Sequence, residues 1–194
     1  YVSGSFTQVN GQSRQGLAAV DITTGTVLPW SPTTDNLVSA ISVNGTSVYL
    51  GGNFSDVNGD SRNGLAAVDA TTGNTLSWNA GVTINGEVKT LYATTNQLYI
   101  GGDFTDVNGL ARNRVASFNL STGSLLPWNP ATGDLQDVVK IEVNAKWVAV
   151  KNSSDEVTAF SSTSGIVNDN FTNISDFTLA DDQLILGPSL SAYD

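Results

Sequence analysis

The sequence predicts an all-β protein built from one antiparallel unit used several times, and three observations predict it. A pattern recurs: Tyr49-Leu50-Gly51-Gly52-Asn53-Phe54-Ser55-Asp56-Val57-Asn58-Gly59, then Leu65-Ala66-Ala67-Val68-Asp69-Ala70-Thr71-Thr72-Gly73, closed by Trp78. Tyr1 to Trp30 and Tyr99 to Trp128 repeat it almost residue for residue, with the tyrosines 48 and 50 residues apart. A period near 50 signals a solenoid, a propeller or another array. Turn signals separate short apolar runs about every ten residues, the spacing of short strands. Charged residues are only 13% of the chain while Thr, Ser, Asn and Gly abound, a composition of strands and tight turns rather than of helices.

Taken in order, Tyr1-Val2-Ser3-Gly4-Ser5-Phe6 reads as a short strand that runs into the turn-rich stretch Thr7 to Gln15, with Asn10-Gly11 as its turn. Leu17-Ala18-Ala19-Val20-Asp21 is the next strand. Thr23-Thr24-Gly25 turns the chain, with Gly supplying the positive φ, and Thr26 to Trp30 runs back as an edge strand whose Pro29 cannot donate to a ladder. After Ser31 to Asn36, Leu37 to Val43 alternates apolar and small polar residues, and Asn44-Gly45 turns it into Val48-Tyr49-Leu50-Gly51-Gly52. Each complete unit is therefore four short antiparallel strands. The third unit repeats this, with Val88 to Ala93 as its first strand and Asn96-Gln97 in the turn.

The fourth unit departs from the pattern. Val138 to Val143 and Lys146 to Val150 keep the first two strands, with Trp147 in the tyrosine slot, but Asn152-Ser153-Ser154-Asp155 replaces the Gly-Gly-x-Phe loop and the closing Trp is missing. A fifth unit starts at Phe177-Thr178-Leu179, continues in Leu184-Ile185-Leu186-Gly187 and ends at Leu190 to Asp194, an echo of Leu65 to Asp69.

Four-stranded antiparallel units at this period read as β-propeller blades. Residues 1–194 form one propeller region: a partial blade 1–36, blades 37–84 and 85–133, a degenerate blade 134–173 and a partial blade 174–194. A blade cannot bury both faces alone, so each needs neighbours. The first portion offers strands two to four and the last one to three, so the two do not complement each other. The expectation is an incomplete arc, its ring completed by other domains of the same polypeptide or by a partner chain. The absence of Met and the opening at Tyr1 in mid-pattern read as a piece of a longer chain.

The segment Tyr-x-Gly-Gly-x-Phe-x-x-Val-Asn-Gly, with Arg62 or Arg112 three residues after the glycine, resembles the delta-60 repeat, a β-propeller repeat of large secreted bacterial surface proteins. Similar repeats occur in fungal cortical polarity markers. Ala67-Val68-Asp69 to Thr72-Gly73 to Trp78 is similar to the tryptophan-docking motif of pyrroloquinoline-quinone (PQQ) type propellers, with its Trp one position later than usual. Together the resemblances cover roughly residues 1–130. They imply a propeller and an extracellular or cell-surface location, and say almost nothing about activity.

Composition excludes several functions. A net charge of -10 repels a phosphate backbone, so nucleic acid is not an expected partner. Without cysteine there are no disulfides, thiolate metal ligands or thiol nucleophiles, and without histidine the commonest general base and metal ligand are missing. No apolar run approaches the ~18 to 20 residues of a membrane span.

The recurring residues each carry a functional and a structural reading. Trp30, Trp78 and Trp128, with Tyr1, Tyr49 and Tyr99, could stack sugars; packing between blades is preferred, one large aromatic per blade with its indole N–H on a partner. Asp103, Asp106 and Asn108, like Asn53, Asp56 and Asn58 one blade earlier, could hold Ca²⁺ in one loop. Ser5 and Gln8 break that set in the first copy, so turn hydrogen bonds are preferred. Arg14, Arg62 and Arg112 could bind an anion; pairing with a carboxylate or with backbone carbonyls, fastening the long loop, is preferred. Sequons stand at Asn44, Asn53, Asn119, Asn152, Asn170 and Asn173. Asp181 and Asp182 are adjacent in a turn, where alternating side-chain directions argue against shared catalytic geometry.

No catalytic, cofactor-binding or metal-binding residue is assigned, and no cofactor is expected. The sequence reads as a non-catalytic propeller module, a scaffold or adhesion surface for a surface protein or glycan, with the long loop between second and third strands as its contact surface. The alternative is an enzyme-associated propeller, PQQ-dehydrogenase-like or glycan-active.

Overall fold

The computed structural model describes residues 1–79, 81–130, 135–181 and 183–188. The first unit contains β1 (Val2–Ser3), β2 (Gln8–Val9), β3 (Gln12–Ser13) and β4 (Leu17–Ala18). The second contains β5 (Val38–Asn44), β6 (Ser47–Gly52), β7 (Asp56–Val57), β8 (Asp60–Ser61) and β9 (Leu65–Asp69). The third repeats these as β10 (Val88–Ala93), β11 (Gln97–Gly102), β12 (Asp106–Val107), β13 (Leu110–Ala111) and β14 (Val115–Asn119). The fourth is β15 (Val138–Val143), β16 (Trp147–Asn152), β17 (Val157–Ser161) and β18 (Val167–Phe171), and the fifth β19 (Ile174–Ala180) and β20 (Gln183–Pro188). The echo at Leu190 to Asp194, read from sequence as a third strand, lies outside the described residues.

Every sheet is antiparallel and follows chain order: β5-β6-β9, β10-β11-β14, β15-β16-β17-β18. The units stand side by side through their first strands, β5 against β10 and β10 against β15. Strand alternation builds the core between units. Along β6, Val48 and Leu50 pack on Leu17 and Trp30 of the first unit, while Tyr49 packs on Val88 and Phe118 of the third. Both faces of a middle unit are thus buried, as an array requires.

The paired glycines serve two contacts. A Cβ on Gly51 or Gly101 would lie 2.6 or 2.5 Å from Cγ1 of Val88 or Val138 in the next unit, so these positions set the spacing of neighbouring sheets. A Cβ on Gly52 or Gly102 would lie 2.1 or 1.9 Å from the backbone oxygen of Leu37 or Glu87, beside the bulge that shifts register at Val38/Ala40 and Val88/Thr90.

Three readings are corrected. Trp147 pairs with Ser161 as Ser47 pairs with Asp69, so it occupies the serine position, and Ala149 stands in the tyrosine slot. The first strand of the fifth unit begins at Ile174, ahead of Phe177. The fourth strand of the first three units is reduced to single bridges, Val20↔Val27, Val68↔Thr75 and Phe118↔Leu125. Among the described residues the fourth unit alone forms it fully, as β18 on β17. The cause is the long loop, which folds into a small hairpin (β2–β3, β7–β8, β12–β13) against that segment. Asn58 Nδ2 donates to Gly73 O at 2.9 Å, Thr75 Oγ1 to Val57 O at 3.1 Å and Arg62 to Leu76 O at 2.9 Å, so the loop takes backbone groups a ladder would otherwise use.

Candidate functional site

The tryptophans join the units. Trp30 Nε1 donates across to Asp69 O at 3.0 Å, Trp78 to Asn119 O at 3.3 Å and Trp128 to Ser161 O at 3.2 Å. Each ring meets its own unit's tyrosine edge-on, with centroids 4.8 Å apart for Tyr1–Trp30, 5.0 Å for Tyr49–Trp78 and 5.3 Å for Tyr99–Trp128. Tyrosine and tryptophan go together: where Ala149 replaces the tyrosine, no closing tryptophan follows. Each acceptor carbonyl also takes the N–H of the turn glycine, Gly73, Gly123 or Gly165. A Cβ on those glycines would touch Pro32, Asn79 or Pro130, in the chain just past the docked tryptophan. At the first unit the corresponding Gly25 faces open space, Ile22 beside it is fully exposed, and Asp21 O receives the Gly25 N–H but no indole.

The arginines clamp the small hairpins onto backbone carbonyls of their own unit. Arg14 reaches Ser13 O and Leu28 O at 2.7 and 2.6 Å, Arg62 reaches Ser61 O and Leu76 O at 2.7 and 2.9 Å, and Arg112 reaches Ala111 O and Leu126 O at 2.9 and 3.1 Å. The rigid guanidinium fork suits two carbonyls at a fixed angle. Asn10, Asn58 and Asn108 take positive φ at the tips, which asparagine tolerates. Phe104 and Val107 are fully buried, so this loop is part of the core.

The acidic loop side chains turn to backbone N–H groups. Asp56 and Asp106 accept from Gly59 and Gly109, each at 2.7 Å, and Asp103 accepts from Glu87 N at 2.6 Å. Among the described residues no group of three or more His, Cys, Asp or Glu is placed to hold a metal ion. Asp35, which sequence reading passed over, accepts from Ser55 Oγ at 2.5 Å and from the N–H groups of Ser55 and Asp56, and the Ser55 bonds hold its carboxyl below the ordinary aspartate range. Asn85 does the same for Thr105 and Asp106.

An ion cluster between the third and fourth units was also missed. Lys89 Nζ lies 2.6 Å from Asp137 and 3.3 Å from Asp103, and Arg114 lies 3.2 Å from Asp137. The hydrogen bond from Lys89 draws the Asp137 carboxyl down, and the same bond pushes the Lys89 amine up. Arg114 has φ +71° where Gly16 and Gly64 stand in the earlier units, a replacement that sequence alignment of the repeats could have flagged. Asp181 sits in a turn at φ +49° with its carbonyl accepting from Asn144, and Asp182 lies outside the described residues. Among the sequons, Asn152 is fully buried with its amide on Glu156, whereas Asn53 and Asn173 are exposed.

The profile of the PQQ_2 family, described as outer membrane protein assembly factor BamB, matches residues 2–168. The computationally designed protein Ika8 is similar over 88% of this chain and 48% of its own, at 16% identity and a TM-score of 0.60. The designed protein Ika4 is similar over 80% of this chain and 88% of its own, at 14% identity and a TM-score of 0.59. BamB from Moraxella catarrhalis aligns over 88% of this chain and 63% of its own, at 16% identity and a TM-score of 0.43. The chain thus spans about half the length of Ika8. No curated protein matches it.

Proposed function

The chain belongs to the family described as outer membrane protein assembly factor BamB, and on that premise we propose that it is a non-catalytic propeller module of a larger cell-envelope or secreted protein, a scaffold that binds a surface protein or glycan. The observation that carries this reading is the set of small hairpins, held rigid by Arg14, Arg62 and Arg112 while the exposed residue after each Asn-Gly turn changes from Gln12 to Asp60 to Leu110. Rigid supports with variable tips are how propeller and other scaffolds present contacts. The delta-60 resemblance supports a secreted or surface setting, and the family description supports the cell envelope.

Ring completion by other domains or a partner chain belongs to the same proposal. The open Gly25 turn and the unclaimed side of Asp21 O match the three occupied joints, so the incoming element would carry an aromatic donor on its fourth strand.

Deleting residues 103–113 would remove Phe104 and Val107 from the core, so the test uses tip substitutions instead. Binding of the fluorescently labelled chain to cells of the source organism is compared with that of an Asp60→Ala/Leu110→Ser double variant. Loss of binding with an unchanged melting curve supports the hairpin surface; unchanged binding overturns it. An enzyme-associated propeller is the second reading, favoured by the family name alone. Saturable uptake of pyrroloquinoline quinone followed by its absorbance would establish it.

A further inference from the structure

A groove of about 980 Å³ opens between the third and fourth units at the tips of the β10–β11 and β15–β16 hairpins. No residue of the small hairpins lines it, so it is separate from the proposed contact surface. A smaller one of about 530 Å³ occupies the corresponding place between the second and third units. The larger volume follows from the sequence: Leu120, which walls the smaller groove, corresponds to Ser162 in the larger one.

Its lining is unusual in a chain of net charge -10, because among the described residues it contains no charged side chain. It offers hydroxyls, amides and aromatic rings. Tyr99 is 3% exposed, and no described residue bonds its hydroxyl, which faces this groove. In the first joint the equivalent Tyr1 hydroxyl donates to Ala70 O at 2.6 Å. The ring is buried, but the hydroxyl is not among the buried side-chain atoms left without a partner, so it meets the solvent of the groove, where a ligand's polar atom can replace water. Burial pushes the Tyr99 pKa up, which keeps it a neutral donor. The side-chain amides of Asn96 and Gln97 and the Thr163 hydroxyl, also in the lining, have no protein partner among the described residues. Tyr92 is half-buried in the same wall and supplies an aromatic surface.

We propose that this groove binds a short neutral oligosaccharide. Amides and hydroxyls act as donors and acceptors at once, as vicinal sugar hydroxyls do, and aromatic rings cover the apolar faces of pyranose rings. An anionic sugar would lack a counter-charge, and a hydrophobic ligand would strand the amides. The proposal goes beyond the scaffold reading and does not depend on it.

The test is titration of ¹⁵N-labelled protein with maltotriose, cellotriose, chitotriose and mannotriose, followed by amide chemical shifts. The expected result is saturable shifts around Tyr99, Asn96 and Ser162 with at least one of them, weakened about tenfold by Tyr99→Phe and by Asn96→Ala. Tyr99→Phe removes only an unpartnered oxygen and Asn96 is exposed, so both variants should melt as the parent does. The Asp60→Ala/Leu110→Ser variant should bind the sugar unchanged, which separates this site from the hairpin surface. Absence of saturable shifts with all four sugars, shifts mapping elsewhere, or undiminished binding by Tyr99→Phe overturns the proposal. Equal binding of a neutral Gly-Ser peptide to the same residues overturns the carbohydrate assignment.

Discussion

Trp30 is the sharpest place to test the joint between units. Its ring is 2% exposed, packs against Tyr1 and the core of the second unit, and donates to Asp69 O. Replacing a buried tryptophan by alanine removes its packing and leaves a cavity, about 3–5 kcal/mol. Trp30→Phe keeps an aromatic ring and loses the indole N–H. Asp69 O still accepts from Gly73 N at 2.9 Å, so no buried acceptor is orphaned and only the net bond, about 1 kcal/mol, is lost with part of the ring area, about 2 kcal/mol in all. Because units of an array are coupled to nearest neighbours, the cost should fall on the first unit. Native-state hydrogen exchange reads this directly. Amides of Gly4, Gly16 and Leu28, bonded within that unit, should exchange about a thousandfold faster in Trp30→Ala and about thirtyfold faster in Trp30→Phe. Amides of β15 to β17 should change little. Equal acceleration in both variants, or uniform opening of the whole chain, would refute the docking argument.

Other expectations follow from single contacts. Gly102→Ala should destabilise by about 4 kcal/mol and Gly101→Ala by about 1–3, because the first clash is with the backbone oxygen of Glu87 and the second with movable Val138 and Thr90 methyls; urea unfolding checks the order. Asp69 has its carboxyl drawn down by the N–H groups of Thr72 and Thr71 and the Thr72 hydroxyl, so its contribution is present above the unfolded pKa near 4 and disappears as pH falls through the lower folded value. Asn119 makes the same turn bonds, so Asp69→Asn should leave stability at pH 7 nearly unchanged and flatten its decline below about pH 4, measured by thermal melts across pH. Arg112→Lys should cost about 1–2 kcal/mol, since one ammonium cannot span Ala111 O and Leu126 O; a chemical-denaturation midpoint equal to the parent's would count against the clamp. Arg114→Gly relieves a left-handed backbone and removes the Asp137 pair, so its net effect should be below about 1 kcal/mol while stability becomes less salt-dependent.

Much of the architecture was legible because the repeats restate it. The period, the turns and the apolar alternation place the strands, and Tyr49, Gly51 and Trp78 mark contacts that recur by position alone. The all-β fold and the likeness to PQQ-type propellers follow from that pattern, whereas the BamB family match came from the comparison alone, and the tryptophan and arginine positions followed from counting, since each returns once per copy. The fourth unit was harder. With the loop and closing tryptophan gone, an aromatic at Trp147 looked like the missing tyrosine, and only pairing with Ser161 showed Ala149 in that slot. A shift of two residues keeps side-chain parity along a strand, so alternation could not detect it.

Sequence by itself determined which residues form the unit and how often it recurs, because strand periodicity, glycine turns and one aromatic pair per copy are local properties. Tertiary structure decided what those residues do to one another. It turned the long loop into a hairpin that takes the hydrogen-bonding groups of the fourth segment, and so left single bridges where a strand was expected. It left Tyr99 with a bare hydroxyl while Tyr1 found Ala70 O, although the two occupy the same place in the repeat. Both outcomes depend on which backbone oxygens and small side chains the neighbouring unit brings within hydrogen-bond reach, and that distance is set across units some 50 residues apart rather than within any one of them.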